Sequence, residues 1–143
     1  MVKHVAEATV TTAAAPDAVW AILADARSWD TWGPWTSAEL EREGAPEPDG
    51  VGAIRVFTKK PIVSREEVVV FEPPARLEYK LLSGLPVRDY HSVVRVTPSG
   101  TGSEIHWRSE FDSKVPGMGA FLGRVIPSVA QRLADEADRR AAA

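Results

Sequence analysis

Cysteine is absent from the 143 residues of this chain. Its absence excludes a disulfide framework, a thiolate zinc site and a catalytic cysteine. A chain of this length has the usual size of one domain and can bury a core without disulfides or metals. No repeat, low-complexity linker or shift in composition divides it, so residues 1–143 are expected to form a single domain.

Charge of one sign and long apolar runs are also missing. The formal net charge is -3, and acidic and basic residues are mixed, so neither nucleic acid nor an anionic membrane is indicated as a partner. No stretch approaches the roughly 18 apolar residues of a membrane span, so stable membrane insertion is not expected. Met1 to Glu7 carries charge too early for a signal peptide, which leaves a cytoplasmic location as the default expectation.

Histidine is scarce, and its three residues are widely separated. His91 and His106 are expected to share a sheet face without pairing, so no metal site is predicted. No Ser-His-Asp set follows from the spacing. Gly100-Thr101-Gly102 and the glycines between Gly117 and Gly123 lack the strand, glycine loop and helix order of a phosphate site. No cofactor is expected.

The chain begins with a predicted strand over residues 4–12, which alternate weakly and contain Val and Thr. Pro16 suits the first position of a helix, where its missing N–H costs nothing. A second short helix, capped by Asp25 or Ser28, is predicted to run through Trp32. Two short helices therefore follow the first strand.

The middle of the chain contains short strands separated by proline and glycine turns. No helical segment lies between them, which indicates an antiparallel meander rather than a parallel sheet. The predicted strands cover residues 51–58, 63–71, 76–82, 87–97 and 103–112.

The strongest pattern is an apolar stripe that steps by three and four residues from about Gly117 onward. It predicts an amphipathic helix of five or six turns, with a kink where Pro127 crowds the carbonyl of Gly123. Gly119 and Gly123 are expected to thin this helix where it crosses the sheet or a ligand. The stripe comprises Met118, Phe121, Leu122, Val125, Ile126, Val129, Leu133 and Ala137.

The face that the sheet presents to this helix follows from one hairpin. Pairing across residues 98–102 brings Val96 opposite Ile105, Val94 opposite Trp107, Ser92 opposite Ser109, and Tyr90 opposite Phe111. Hydroxyl groups therefore lie among apolar side chains. An apolar pocket with a few placed polar groups is typical of small-molecule sites. The alternative is that the hydroxyls bond one another or ordered water.

Three tryptophans within seven positions form a second feature. Trp29, Trp32 and Trp35 could form an aromatic wall at a cavity mouth or anchor the short helices by packing. Packing is the favoured interpretation for Trp29 and Trp32, and pocket contact is favoured for Trp35.

Tyr79 and Tyr90 are the candidate catalytic groups, together with Arg55. A phenol can donate to a carbonyl and polarise it in an aldol cyclisation or a dehydration, although a buried tyrosine can equally be bonded to the backbone. Arg55 and Glu66 could meet inside as a polar pair or contact a ligand. Residues of these types more often lie on a solvated face, which is the favoured interpretation.

The order of motifs resembles the SRPBCC superfamily, which includes START-like lipid carriers and polyketide cyclase/dehydrase proteins. The matching segments are Ala15-Pro16 with Val19-Trp20, Asp25 with the three following tryptophans, Glu72 to Leu77 with Tyr79, Gly102 to Trp107, and Phe111 to Gly119. The resemblance covers nearly the whole chain. It implies an α+β helix-grip fold, in which a curved seven-stranded antiparallel sheet wraps around a long C-terminal helix. It also implies a hydrophobic ligand cavity, but no particular reaction.

Two functions remain open on this basis. One is a non-catalytic carrier or sensor of a hydrophobic small molecule such as a lipid, polyketide or isoprenoid. The other is a polyketide cyclase, aromatase or dehydratase that acts on a ligand in the same cavity, with catalysis mostly by orientation. A protein-interaction module is a third class, for which no exposed apolar patch is evident.

The expected ligand-binding residues are Trp35, Phe57, Tyr79, Tyr90, Ser92, Trp107, Ser109, Phe111, Phe121, Leu122 and Val125.

Overall fold

The computed structural model describes residues 2–143, which form one antiparallel sheet and a long C-terminal helix. The sheet has seven strands in the order β1-β7-β6-β5-β4-β3-β2. The expected α+β architecture is therefore confirmed. The strands are β1 (Val2–Thr12), β2 (Ser37–Arg42), β3 (Ile54–Lys59), β4 (Ile62–Glu72), β5 (Arg76–Ser83), β6 (Arg88–Ser99) and β7 (Gly102–Ser113).

Two short helices follow β1, as predicted. Helix α1 (Pro16–Leu23) begins with proline at its first position, where no backbone donor is lost. A 3-10 turn (Ala26–Ser28) leads directly into α2 (Trp29–Trp32). Both helices bury apolar side chains, including Trp29 at 1% exposure. They close the end of the sheet at which the tryptophan cluster lies.

Helix α3 (Met118–Ala142) has 25 residues, or about seven turns. The sequence-based length of five or six turns is too short, because the helix continues beyond the apolar stripe into a charged segment. There Glu136 accepts hydrogen bonds from Arg139 and Arg140. Pro127 lies inside the helix, and the kink at that position remains a prediction. Within residues 2–143, no helix is long and apolar enough to cross a membrane.

The N-terminal end of α3 lies close to β1. A Cβ added at Gly119 would lie 2.5 Å from the ring nitrogen Nδ1 of His4, so the helix backbone approaches this ring closely because position 119 has no side chain. The expectation that Gly119 thins the helix is confirmed. Gly123 is different, because a Cβ there meets no atom within 4 Å. It lies on the exposed face and makes no crossing with the sheet.

The structure differs from the predicted strands in two places. Strand β2 was not predicted from its pattern, because in this short edge strand only Ala38 is buried. Strand β3 begins at Ile54 rather than at Val51, since Val51 forms an isolated bridge with Ala45. Gly52 then turns the chain with a φ of 91°, a conformation that glycine adopts without strain.

The register predicted for the hairpin of β6 and β7 is confirmed over most of its length. Val96 pairs with Ile105, and Ser92 pairs with Ser109. The ladder shifts between Arg88 and His91. The rings of Tyr90 and Phe111 still stack across the pair, with their centroids 5.8 Å apart.

Candidate functional site

Arg55 and Glu66 form an ion pair inside the protein. They are direct partners on β3 and β4, and Nη2 of Arg55 lies 2.7 Å from Oε1 of Glu66. Arg55 is 1% exposed and Glu66 is 8% exposed. The favoured interpretation of a solvated face is therefore wrong. Strand alternation places Arg55 on the same inward face as the buried Phe57, and the two side chains neutralise each other there.

Aromatic rings surround the guanidinium of Arg55. Its Cζ atom lies 4.3 Å from the ring centroid of Trp29, 4.6 Å from that of Tyr79 and 5.2 Å from that of Phe57. A guanidinium attracts the negative faces of aromatic rings, by about 2 kcal/mol where water is excluded. The tryptophan cluster therefore has a packing role at Trp29, which holds the cation from one side.

Glu66 is the carboxyl group that reaches the internal cavity described below. Burial raises the pKa of Glu66 above the ordinary carboxyl range, and the charge of Arg55 opposes part of the rise. A carboxyl group with a raised pKa is suited to exchange protons nearer neutral pH than an exposed glutamate. Within residues 2–143, no group of three or more acidic or histidine side chains is arranged to hold a metal ion.

The buried hydroxyl groups form two sets of hydrogen bonds. The indole Nε1 of Trp107 donates to the phenol oxygen of Tyr79 over 3.2 Å. The Tyr90 hydroxyl donates to Oγ of Ser109 over 3.3 Å, and Ser109 shares a further hydrogen bond with Ser92. For the two serines, the alternative in which the hydroxyls bond each other is therefore correct.

The two phenols differ from free tyrosine in acidity. Burial, with a contribution from the nearby Glu66 carboxylate, raises the pKa of Tyr79 well above its usual value. The same two causes raise the pKa of Tyr90 to about 12. Both phenols therefore stay protonated at neutral pH, which makes them hydrogen-bond donors rather than bases.

The cavity lies between α3 and the sheet and has a volume of about 300 Å³. This value is at the lower end of the range for small-molecule pockets. Glu66, Tyr79, Tyr90 and Ser64 provide its interior polar groups, and the other lining side chains inside are apolar. The wall from α3 consists of Phe121, Leu122, Val125, Ile126 and Val129. The wall from the sheet and its loops adds Trp35, Ile62, Leu81, Leu85 and Trp107.

The cavity opens to solvent at the hairpin between β3 and β4. Lys59, Lys60 and Pro61 line it there and are exposed. Across the opening, Phe121 is 43% exposed although it belongs to the apolar stripe of α3. A guest therefore has a direct route between water and the apolar interior.

Comparison with known proteins agrees with this architecture. Residues 3–142 match the family described as polyketide cyclase / dehydrase and lipid transport. The chain belongs to this family. The resemblance to the SRPBCC superfamily is thereby confirmed, and no curated protein matches the chain significantly.

Several solved structures share the fold. A protein from Thermobifida fusca is 26% identical with a TM-score of 0.75, and the match covers 94% of this chain and 93% of that one. A START superfamily protein from Mycobacterium smegmatis is 15% identical with a TM-score of 0.76 and 96% coverage of both chains. Norcoclaurine synthase from Thalictrum, in complex with a transition state analogue, is 18% identical with a TM-score of 0.73, covering 98% and 97%. The helix-grip fold is confirmed.

The polyketide cyclase-like chain brings most of the expected ligand-binding residues to the cavity lining. These are Trp35, Tyr79, Tyr90, Trp107, Phe121, Leu122 and Val125. Phe57, Ser92, Ser109 and Phe111 do not line the cavity. They are fully buried behind the lining, where Phe57 stacks on Trp29 and the serines bond each other. Arg55 is also absent from the lining and contacts Glu66 and the aromatic rings instead.

Sequence reasoning missed part of the lining. Ile126 and Val129 belong to the predicted helix stripe, and their positions on it could have placed them in the site. Glu66 could have been placed by the pairing of β3 with β4, since it faces inward with Ser64. The loop residues Pro34 and Leu85 carry no pattern that predicts their position.

Proposed function

We propose that this family member binds a hydrophobic small molecule in the cavity between α3 and the sheet. The observation that carries the proposal is the open, mostly apolar space of about 300 Å³ in a well-packed domain. Protein interiors rarely leave voids larger than a water molecule, because lost dispersion contacts make them costly. A space of this size with an opening to solvent is a feature that a guest would fill.

The interior polar groups restrict the kind of guest. Tyr79 and Tyr90 keep their protons at neutral pH. The Tyr79 hydroxyl accepts from Trp107 and is suited to donate a hydrogen bond to a carbonyl or ether oxygen, whereas Tyr90 already donates to Ser109. A compact ligand with one or two such oxygens fits better than a pure hydrocarbon. Lipid, polyketide and isoprenoid derivatives contain this combination of groups.

Native mass spectrometry of protein purified from its own host tests the proposal. We expect a retained adduct whose mass names the ligand class. In parallel, binding of the neutral dye N-phenyl-1-naphthylamine to dye-free protein can be titrated by fluorescence. A protein without a retained adduct that also fails to bind this dye would contradict the proposal.

A cavity-filling variant provides the matched control. Val125 lines the cavity, so Val125→Phe is expected to reduce dye affinity at least tenfold by occupying the space. Gln131 is exposed on the same helix and does not line the cavity, so Gln131→Phe should leave affinity unchanged. Equal affinities for the two variants would place the bound dye outside the cavity.

A second candidate function is supported by one arrangement. The carboxyl group of Glu66, whose pKa is raised, shares the cavity with two protonated phenols. Such a set could polarise a carbonyl and move a proton, as cyclisation or dehydration of a polyketide requires. If Tyr79→Phe with Tyr90→Phe leaves turnover of an identified substrate unchanged, the phenols have no catalytic role.

A further inference from the structure

A second hollow adjoins the cavity at its mouth. It is a shallow groove between α3 and the hairpin of β3 and β4, with a volume of about 490 Å³. Pro34, Lys59, Phe121 and Val125 line both spaces, so the apolar cavity continues into the groove. The lining of the groove includes Lys59, Arg124 and Arg132 and no acidic side chain.

The strand register explains why a lysine lies at this junction. Lys59 follows Arg55 and Phe57 at alternate positions of β3, so it lies on the inward face of the sheet. It pairs with Ile62, which also lines the cavity. The neighbouring Thr58 belongs to the other face. The sequence therefore places a cation on the face that otherwise carries buried side chains, at the point where that face meets water.

The cations at the mouth are not engaged in ion pairs. Nine of the 17 lysine and arginine side chains make ion pairs with carboxylates within residues 2–143. Lys59, Lys60, Arg124 and Arg132 are among the remaining eight, and no carboxylate lies within 4.0 Å of them in the described part of the chain. Half of the unpaired cations of an acidic protein thus surround one opening.

The charges that line the cavity favour one orientation of a charged guest. Glu66 is the acidic group of the lining, and its Arg55 partner lies behind the surface against aromatic rings. Among the described lining residues, the unpaired cations Lys59 and Lys60 lie at the mouth, so an anionic group would be stabilised there and disfavoured beside Glu66. An apolar body would occupy the space lined by Leu122 and Ile126.

We infer that the guest is an amphipathic anion, with its apolar body in the cavity and its carboxylate, sulfonate or phosphate group beside Lys59 and Arg124 at the mouth. This inference rests on the proposed function and adds the charge and orientation of the ligand. Lys60 lines the cavity at the same mouth, and Arg132 lines the adjoining groove. The ligand class thus covers acids of apolar compounds.

A matched pair of dyes tests the inference. N-phenyl-1-naphthylamine and 8-anilino-1-naphthalenesulfonate share one aromatic body and differ in a single sulfonate group. We expect the sulfonate dye to bind about tenfold more tightly at low salt, since exposed charge pairs each contribute a few-fold in affinity. This preference should shrink when 0.5 M NaCl is added, because salt screens exposed charges.

Charge-removing variants locate the effect. Lys59→Met combined with Arg124→Met should abolish the preference for the sulfonate dye, measured as the ratio of the affinities for the two dyes. Arg95, which is exposed on β6 and has no ion pair in the described chain, provides the control, and Arg95→Met should retain the preference. Circular dichroism confirms that each variant is folded.

The possible outcomes separate the two proposals. Equal affinity for both dyes, or a preference that survives the double substitution, would overturn the anionic guest while leaving a hydrophobic guest intact. Binding of neither dye would count against the proposed function itself. Titration with short-chain phosphate monoesters and with carboxylates of matched length then distinguishes the two natural sources of the anionic group.

Discussion

Nη2 of Arg55 lies 2.7 Å from Oε1 of Glu66, and both side chains are buried on the inward face of the sheet. Arg55 additionally lies over the ring of Trp29. Removing either charge therefore leaves the other uncompensated in an apolar site. The pair therefore stabilises the sheet, and its Glu66 carboxyl is also a polar group of the cavity.

Glu66→Gln is expected to lower the free energy of unfolding by about 3 kcal/mol, because a buried pair that loses one partner leaves an isolated charge. Urea denaturation measures the change. The matched control is Glu41→Gln, which breaks the exposed pair with Arg65 and should lower the stability much less, because water screens exposed charges. Similar losses of unfolding free energy in the two variants would show that the buried ion pair of Glu66 stabilises the protein no more than the exposed pair of Glu41.

The pH dependence of stability should contain a contribution from Glu136 at the end of α3. Hydrogen bonds from Arg139, with the help of Arg140, lower the pKa of Glu136 to about 2. A folded-state pKa below the unfolded value of 4.5 stabilises the protein above pH 4.5. That stability is lost as the pH falls toward 2.

Glu136→Gln should therefore be less stable than the natural chain at pH 6, and the difference should disappear as the pH approaches 2. Urea denaturation at a series of pH values measures it. Glu104 is exposed and makes no ion pair in the described residues, so Glu104→Gln is the control for removing a carboxylate that has no partner. A difference that grows on acidification would contradict the assigned role of Glu136.

Removing the hydroxyl group should lower the stability more at Tyr79 than at Tyr90. Tyr79→Phe leaves the buried indole N–H of Trp107 without its acceptor, which costs about 1–3 kcal/mol. Tyr90→Phe should cost less, because Ser109 keeps its hydrogen bond with Ser92. Thermal and urea denaturation of the two single variants compare these losses, and the reverse order would contradict the hydrogen-bond assignment.

Two glycines are expected to respond in opposite ways to alanine. A Cβ at Gly33 would lie 2.3 Å from the ring of Trp35 and 2.8 Å from the carbonyl oxygen of Trp29. Gly33→Ala should therefore displace Trp35 from the cavity wall, lower stability and weaken dye binding. At Gly123 a Cβ meets open space, so Gly123→Ala should raise stability by about 0.5–1 kcal/mol through helix propensity. Trp fluorescence and denaturation report both effects, and a stabilising Gly33→Ala would be inconsistent with this packing.

Much of the fold was accessible from the sequence because its signals are strong and local. The apolar stripe from Phe121 to Ala137 predicted α3, and alternation across the hairpin predicted that Ser92 faces Ser109. Edge strand β2 escaped the pattern analysis because it buries a single side chain, Ala38. Its existence followed only from the family resemblance.

The site was less predictable than the fold, since it depends on contacts between distant segments. Arg55 and Glu66 were placed outside by the general preference of charged residues for water. Arg55 lies two residues before Phe57, and Glu66 lies two residues after Ser64, so strand alternation places both charged side chains on the inward face. Only the pairing of β3 with β4 shows that the two charges neutralise each other. The mouth of the cavity forms where the hairpin at Lys60 comes close to α3. No local sequence pattern predicts such a contact between distant segments.

A crystal structure with bound N-phenyl-1-naphthylamine tests the central claim most directly. The account predicts electron density for the dye between α3 and the sheet, in contact with Tyr79, Trp107 and Val125 on the cavity wall. A structure in which side chains fill this space, with the dye bound elsewhere or absent, would contradict the account.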